Sequence, residues 1–175
     1  MRPAGGRCSR CCPAHRRQQQ PPGGGVTPGA PDDGGTISNG ATLTVTNCTS
    51  SGNTTAPISI FGNDAGGTIG NFGTLTVAGS TFSGNSGREG GAIYSQSGSP
   101  LTVINSTFVG NTVTGGDSGA ISSSHTILAR SLLAGNSSPS CSGVTPTDSG
   151  GNRVDDTSCP VTASARLAAA LKLGP

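Results

Sequence analysis

Gly90-Gly91-Ala92-Ile93, then Leu101-Thr102-Val103, then Phe108-Val109-Gly110-Asn111 form a phrase that the chain states four times. One period earlier, Gly66-Gly67-Thr68-Ile69 leads to Leu75-Thr76-Val77 and Phe82-Ser83-Gly84-Asn85. Before that, Gly34-Gly35-Thr36-Ile37 leads to Leu43-Thr44-Val45 and Gly52-Asn53. One period later, Ser118-Gly119-Ala120-Ile121 leads to Thr126-Ile127-Leu128 and Gly135-Asn136. The closing asparagines follow one another at 32, 26 and 25 residues. Self-similarity at such a period marks a solenoid, in which each unit buries its apolar face only against its neighbours.

Within one period the pattern is that of half-buried strands. Leu75 and Val77 alternate with Thr74 and Thr76, and after a break of phase Phe82 follows Thr81. Period-two alternation of this kind places one face inward and one outward. The same offsets give Leu101, Val103 and Phe108 in the next unit, Leu43, Val45 and Ser50 in the first, and Thr126, Leu128 and Leu133 in the fourth. Ile37, Ile69, Ile93 and Ile121 supply a second inward column. Thr, Val, Gly and Asn are poor helix formers, so the units read as all-β. If each period makes one circuit, like strands stack in parallel, Phe82 lies on Phe108, and Asn53, Asn85, Asn111 and Asn136 form a turn ladder. The Gly pairs are expected to turn the corners through positive φ, and the ladder asparagines to tolerate the left-handed conformation and bond their neighbours. A stub of four to five rungs has open edges at both ends and needs caps.

Composition sets the organisation. Charged residues make up 10% of the chain and aromatic residues 3%, which suits a turn-rich β protein or a disordered one. The in-register repeat decides for β structure from about Gly34 onward. Arg2, Arg7, Arg10, Arg16 and Arg17 lie in a Pro/Gly/Gln-rich opening without an acid, and all eight acidic residues follow it. The net charge of +2 is therefore an N-terminal effect and not a basic binding face. Residues 1–31 read as a disordered leader, 32–140 as the β-helix repeats, and 141–175 as a Cys-containing excursion with a partial last rung or cap. A short Ala-rich helix is expected within 163–171. No apolar run approaches the roughly 20 residues of a membrane span, and the N-terminus shows no apolar segment of a secretory signal.

The GGTI, GGAI and SGAI corners, with Phe82-Ser83-Gly84-Asn85 and Phe108-Val109-Gly110-Asn111, resemble the GGA(I/L/V)…F-x-x-N repeats of polymorphic outer-membrane proteins and related bacterial surface β-helix proteins. The likeness covers about residues 34–175. It implies a right-handed parallel β-helix of the pectin-lyase-like kind, extracellular or cell-surface placement, and adhesion in some members. In similar proteins a last rung is followed by a Cys-containing excursion, a Gly-Gly-Asn segment and a Leu-Gly-Pro stretch. Here these are Cys141, Gly150-Gly151-Asn152, Cys159 and Leu173-Gly174-Pro175. The chain stops where such proteins continue, so a fragment or truncated product is expected.

Candidate chemistry is sparse. Gly116-Asp117-Ser118-Gly119 resembles the segment around a trypsin-like nucleophile, but a triad needs a His base and an orienting Asp. The only histidines are His15, in the leader, and His125, close after Ser118 in sequence. A glycosidase needs paired carboxylates, and a calcium-dependent lyase needs clustered ones with a basic residue. The repeats offer Asp64, Arg88, Glu89 and Asp117 on different loops. They read first as solvated charges, and as catalytic residues only if adjacent rungs bring them together. Cys8, Cys11, Cys12 and His15 lack the second ligand pair of a structural zinc site. Neither a metal nor a cofactor is expected. Cys141 and Cys159 bracket a stretch rich in Ser, Gly and Asp, and a disulfide is expected there if the chain reaches an oxidising compartment. Cys48 reads as a small outward or corner residue without a partner cysteine. Asn47-Cys48-Thr49, Asn53-Thr54-Thr55, Asn105-Ser106-Thr107 and Asn136-Ser137-Ser138 match the N-glycosylation triplet, which a Ser/Thr/Asn-rich repeat produces by chance. Nucleic-acid binding has no support in the charge pattern. The outward row Thr44, Thr76, Thr102, Ile127 is not a uniform threonine array, which argues against ice binding.

The expectation is a non-enzymatic β-helix segment of a bacterial surface or secreted protein, a scaffold or a binding surface for glycans or surface proteins. Its first alternative is a polysaccharide lyase or hydrolase using Asp64, Glu89 and Asp117 with Arg88. Its second is a truncated remnant without a function.

Overall fold

A computed structural model describes residues 26–28, 37–55, 66–137, 139–143, 147–159 and 161, and among them there is no helix. A short strand, β1 (Val26–Pro28), precedes five circuits of the chain. The first circuit holds β2 (Ile37–Asn39), β3 (Thr42–Thr46) and β4 (Thr49–Ser51). The second holds β5 (Ile69–Asn71), β6 (Thr74–Ala78), β7 (Thr81–Ser83) and β8 (Ser86–Gly87). The third holds β9 (Ile93–Ser95), β10 (Leu101–Ile104), β11 (Thr107–Val109) and β12 (Thr112–Val113). The fourth holds β13 (Ile121–Ser123), β14 (Thr126–Ala129) and β15 (Leu132–Ala134). The fifth holds β16 (Cys141–Ser142), β17 (Thr147–Asp148) and β18 (Arg153–Val154).

Like strands of the five circuits stack in parallel into three sheets, and β1 adds to the first of them antiparallel. The first sheet runs β1-β2-β5-β9-β13-β16, the second β3-β6-β10-β14-β17, and the third β4-β7-β11-β15-β18. A two-stranded sheet joins β8 to β12. Alternation then dictates the core. Ile37, Ile69, Ile93, Ile121 and Cys141 stand in one inward column. Val45, Val77, Val103 and Leu128 form another, with Leu43, Leu75, Leu101 and Thr126 beside it. Ser50, Phe82, Phe108, Leu133 and Val154 form the column of the third sheet. Phe82 and Phe108 stack with centroids 4.9 Å apart and planes 6° from parallel. Outward on the second sheet, Thr44, Thr76 and Thr102 align, and Ile127, 45% exposed, breaks the row.

The corners are held by side-chain ladders. At the corner after the third sheet, the Oδ1 of Asn85 accepts from both the backbone N–H (3.0 Å) and the Nδ2 (2.8 Å) of Asn53. Asn111 does the same for Asn85, and Asn136 for Asn111. At the corner between the second and third sheets a serine ladder takes over. Cys48 N–H donates to Ser80 Oγ, Ser80 N–H to Ser106 Oγ, Ser106 N–H to Ser131 Oγ, and Ser131 N–H to Asn152 Oδ1. The sequence reading did not single out this ladder. Cys48 is not simply an outward residue: it takes the first rung's place in the ladder, packs against the core and donates its thiol to the Thr46 carbonyl.

Two corner expectations are corrected. The residue with positive φ at the Gly-Asn corner is the glycine, at Gly52, Gly84, Gly110 and Gly135, and not the ladder asparagine. Asparagine adopts that conformation at the serine corner instead, in Asn47 and Asn105, in the place where other rungs use Gly79, Arg130 and Gly151. The Gly pairs have a different purpose from the one expected. Gly66, Gly67, Gly90 and Gly91 are absent from the positive-φ residues. A Cβ on Gly67 would overlap the Gly91 carbonyl oxygen, and one on Gly91 that of Gly119. The second glycine of each pair, Gly67 and Gly91, is needed because the backbone of the next rung approaches too closely for any side chain.

The boundaries shift at both ends. Within the stretch read as a disordered leader, Val26–Pro28 pairs antiparallel with β2. The stretch from Cys141 completes a fifth circuit, so the repeats continue past residue 140. That rung also closes the core. Asp148 lies opposite Leu128, where a hydrophobic residue would extend the column, and its Oδ1 accepts from Gly150 N–H (2.9 Å) and Asn152 Nδ2 (2.6 Å). Asp155 accepts from Gly135 N–H, and Asp156 from Ser140 N–H and Ser158. Burial pushes the Asp156 carboxyl up, but the hydrogen bonds from Ser158 and Ser140 outweigh it and leave it below the ordinary aspartate range. A Cys141–Cys159 disulfide, with Cα atoms 5.1 Å apart, ties the strand to the chain beyond it. Asp64, Cys8, Cys11, Cys12, His15 and the helix read within 163–171 lie outside the described residues.

Asn111→Ala is expected to strand the Asn85 N–H and the Phe82 carbonyl, while the Asn136 Oδ1 keeps only the backbone N–H of residue 111. At about 1–3 kcal/mol for each buried group left unmade, urea unfolding should show a loss of several kcal/mol. Reducing the disulfide, whose cysteines are 18 residues apart, should lower stability by about 3 kcal/mol. Matched oxidised and reduced urea titrations measure it.

Candidate functional site

The outer face of the first sheet gathers most of the chemistry that the repeats possess. Ile93 and Ser95 point inward, so Tyr94 between them points out. Its lateral neighbours in register are Gly70 on β5 and Ser122 on β13. Gly70 offers no side chain to cover the ring. Phe72, just past β5, packs against Tyr94 with centroids 6.2 Å apart and planes tilted 59°. Both rings are half-buried.

Carboxylates reach this face through the same register. Gly90 and Ser118 are bridged in parallel, so Glu89 and Asp117, immediately before them, hold equivalent places in neighbouring rungs. Ser118 N–H donates to the Glu89 carbonyl at 3.0 Å. Ser122 Oγ donates to Asp117 Oδ2 at 3.4 Å. Burial pushes the Glu89 carboxyl up, the Asp117 charge adds to this, and the Arg88 guanidinium opposes it. Burial also raises the Tyr94 phenol, reinforced by the charges of Glu89 and Asp117. Glu89 and Tyr94 therefore sense the Asp117 charge across adjacent rungs.

Of the four candidate catalytic residues, the structure brings Glu89, Asp117 and Arg88 into one neighbourhood, and Asp64 is outside the described residues. Tyr94, Phe72 and Ser122 were missed. Tyr94 is the only tyrosine of a chain without tryptophan, and that scarcity was the available signal. Ser118 is fully buried, and its hydroxyl has no hydrogen-bond partner among the described residues. His125 is exposed and its Nδ1 meets Ser124 Oγ at 3.2 Å. No nucleophile–base pair joins Ser118 to His125. Among the described residues, no group of three His, Cys, Asp or Glu could hold a metal ion, and no helix is long and apolar enough to cross a membrane.

With parallel circuits, stacked core columns and corner ladders in place, the chain matches the family model of the right-handed β-helix region over residues 14–157. It belongs to that family, and its coil is right-handed. No curated protein and no solved structure matches it.

Because the chain has one tyrosine, phenolate absorbance in an alkaline titration reports Tyr94 alone. Its midpoint is expected above the ordinary value, and Glu89→Gln and Asp117→Asn should each lower it without restoring it fully, since burial persists. The sign for stability follows. The folded state keeps the phenolic proton to higher pH than the unfolded state does. Stability from this group is therefore intact below the ordinary tyrosine pKa and falls as pH rises through the raised one.

Proposed function

We propose that this chain is a non-enzymatic β-helix scaffold of a secreted or cell-surface protein, and that the outer face of its first sheet binds glycans. The observation that carries this reading is the Phe72–Tyr94 ring pair, half-buried at the surface beside the carboxylates of Glu89 and Asp117. A sugar ring has an apolar C–H face and a hydroxyl rim. Rigid aromatic faces meet the first at small entropy cost, and carboxylates and hydroxyls accept from or donate to the second. The Cys141–Cys159 disulfide supports export, because such bonds persist in oxidising compartments. Stacked rungs give the rings a fixed platform, which lowers the ordering cost of binding.

A carbohydrate-active enzyme is the second reading. It draws on Glu89, whose carboxyl burial and the nearby Asp117 charge push up, as half of the carboxylate pair that hydrolysis of a glycosidic bond uses. One experiment separates the two. The full chain is titrated with soluble polysaccharides while Tyr94 emission is followed, and the supernatant is assayed for new reducing ends or unsaturated products. Saturable binding without products is expected. Tyr94→Ala and Phe72→Ala should weaken it roughly tenfold or more, about 1.4 kcal/mol, when binding is followed on immobilised polysaccharide. Thr76→Ala, on the outer face of the second sheet, should leave it unchanged. Equal binding by Tyr94→Ala would remove the aromatic face from the reading, and product release would replace it with the enzymatic one.

A further inference from the structure

Two of the four Asn-x-Ser/Thr triplets have their asparagine in the corner ladder, and the other two have it exposed at the surface. Asn53 and Asn136 belong to the corner ladder. Asn53 is 3% exposed, and its Nδ2 donates to Ser50 Oγ (2.7 Å) and Asn85 Oδ1 (2.8 Å). Asn136 Nδ2 donates to the Phe108 carbonyl at 3.0 Å. An N-linked glycan is attached through that same nitrogen, so modification at either position would break ladder bonds and force a bulky group against the core.

Asn47 and Asn105 lie at the serine corner, where the chain bends between the second and third sheets. Both side chains are exposed, and both residues have positive φ, 52° and 49°. They are two rungs apart in one column, and the residue between them is Gly79, which has no side chain. The Asn105 Oδ1 accepts from Arg130 Nε at 2.9 Å. The carbonyl end of that amide is thus held by the protein, and the nitrogen end is the one a glycan uses. The hydroxyl residues of the two triplets, Thr49 and Thr107, stand on the outer face of the third sheet, each in register with Thr81. Chance explains how the triplets arise; the backbone decides which can be occupied.

We propose that Asn105 and Asn47 are N-glycan acceptor sites of this chain and that Asn53 and Asn136 are not. The proposal rests on the export inferred above. Two glycans about two strand spacings apart, roughly 9–10 Å, would cover the corner between the second and third sheets. The aromatic face of the first sheet would stay open.

The test is secretion of the full chain, behind a removable leader, from a host that glycosylates asparagine. Enzymatic release of the glycans turns each modified asparagine into aspartate, and peptide masses locate the conversions. Conversion at residues 105 and 47, with none at 53 or 136, is expected. Thr107→Ala and Thr49→Ala should each abolish conversion at the preceding asparagine, with the β circular dichroism spectrum retained. A secreted, disulfide-bonded chain unconverted at both corner sites, or converted at 53 or 136, overturns the site assignment. A chain retained in the cell with reduced cysteines overturns the export reading and the proposal with it.

Discussion

Every rung of this molecule depends on the satisfaction of backbone amides where the strands stop. Between strands the chain must bend, and at the ladder corners an exposed turn residue is followed by a ladder residue packed between circuits. A buried N–H without an acceptor costs as much as a lost hydrogen bond. Here the next rung supplies the acceptor from a side chain, an asparagine at one corner and a serine at another. The acceptor works only if successive circuits superimpose residue on residue. The ladders therefore specify the register as well as stabilising it, and the five circuits pair in parallel in all three sheets.

Register is what creates the candidate site. Glu89 and Asp117 are far apart in sequence, and neither has a special neighbour in its own loop. The parallel bridge of Gly90 to Ser118 places them side by side. The same register sets Tyr94 between Gly70 and Ser122, and the missing side chain at Gly70 leaves the ring accessible to Phe72 and to solvent. Burial raises both the Glu89 carboxyl and the Tyr94 phenol, and stacking adds the Asp117 charge from the neighbouring rung.

The fifth circuit, the last among the described residues, carries charge where the earlier ones carry apolar side chains. An apolar residue at position 148 would present a new hydrophobic surface to another rung. Asp148 instead folds back onto Gly150 and Asn152, while the carboxylates of Asp155 and Asp156 accept from the Gly135 and Ser140 amides. Charge at the end of a column discourages edge-to-edge growth, and the disulfide fixes the closing segment where few apolar anchors exist.

The sequence by itself determined the coil, its inward columns and the Asn53–Asn136 ladder, because a repeat with constant offsets can bury its apolar residues only by superposition. Phe82 on Phe108 and the isoleucine column were readable for the same reason. It did not reveal which glycines turn and which merely allow contact, since Gly66 and Gly84 look alike until φ and the neighbouring backbone are known. The serine ladder was hidden because Ser80, Ser106 and Ser131 are common residues in a serine-rich chain, and Cys48 and Asn152 fill its end positions. Only the tertiary structure decided that Glu89, Asp117, Tyr94, Phe72 and Ser122 share one face, and that Asn47 and Asn105 are displayed where Asn53 is buried. Those facts depend on loop lengths that differ from rung to rung, so the distances between such residues are set by stacking and not by spacing along the chain.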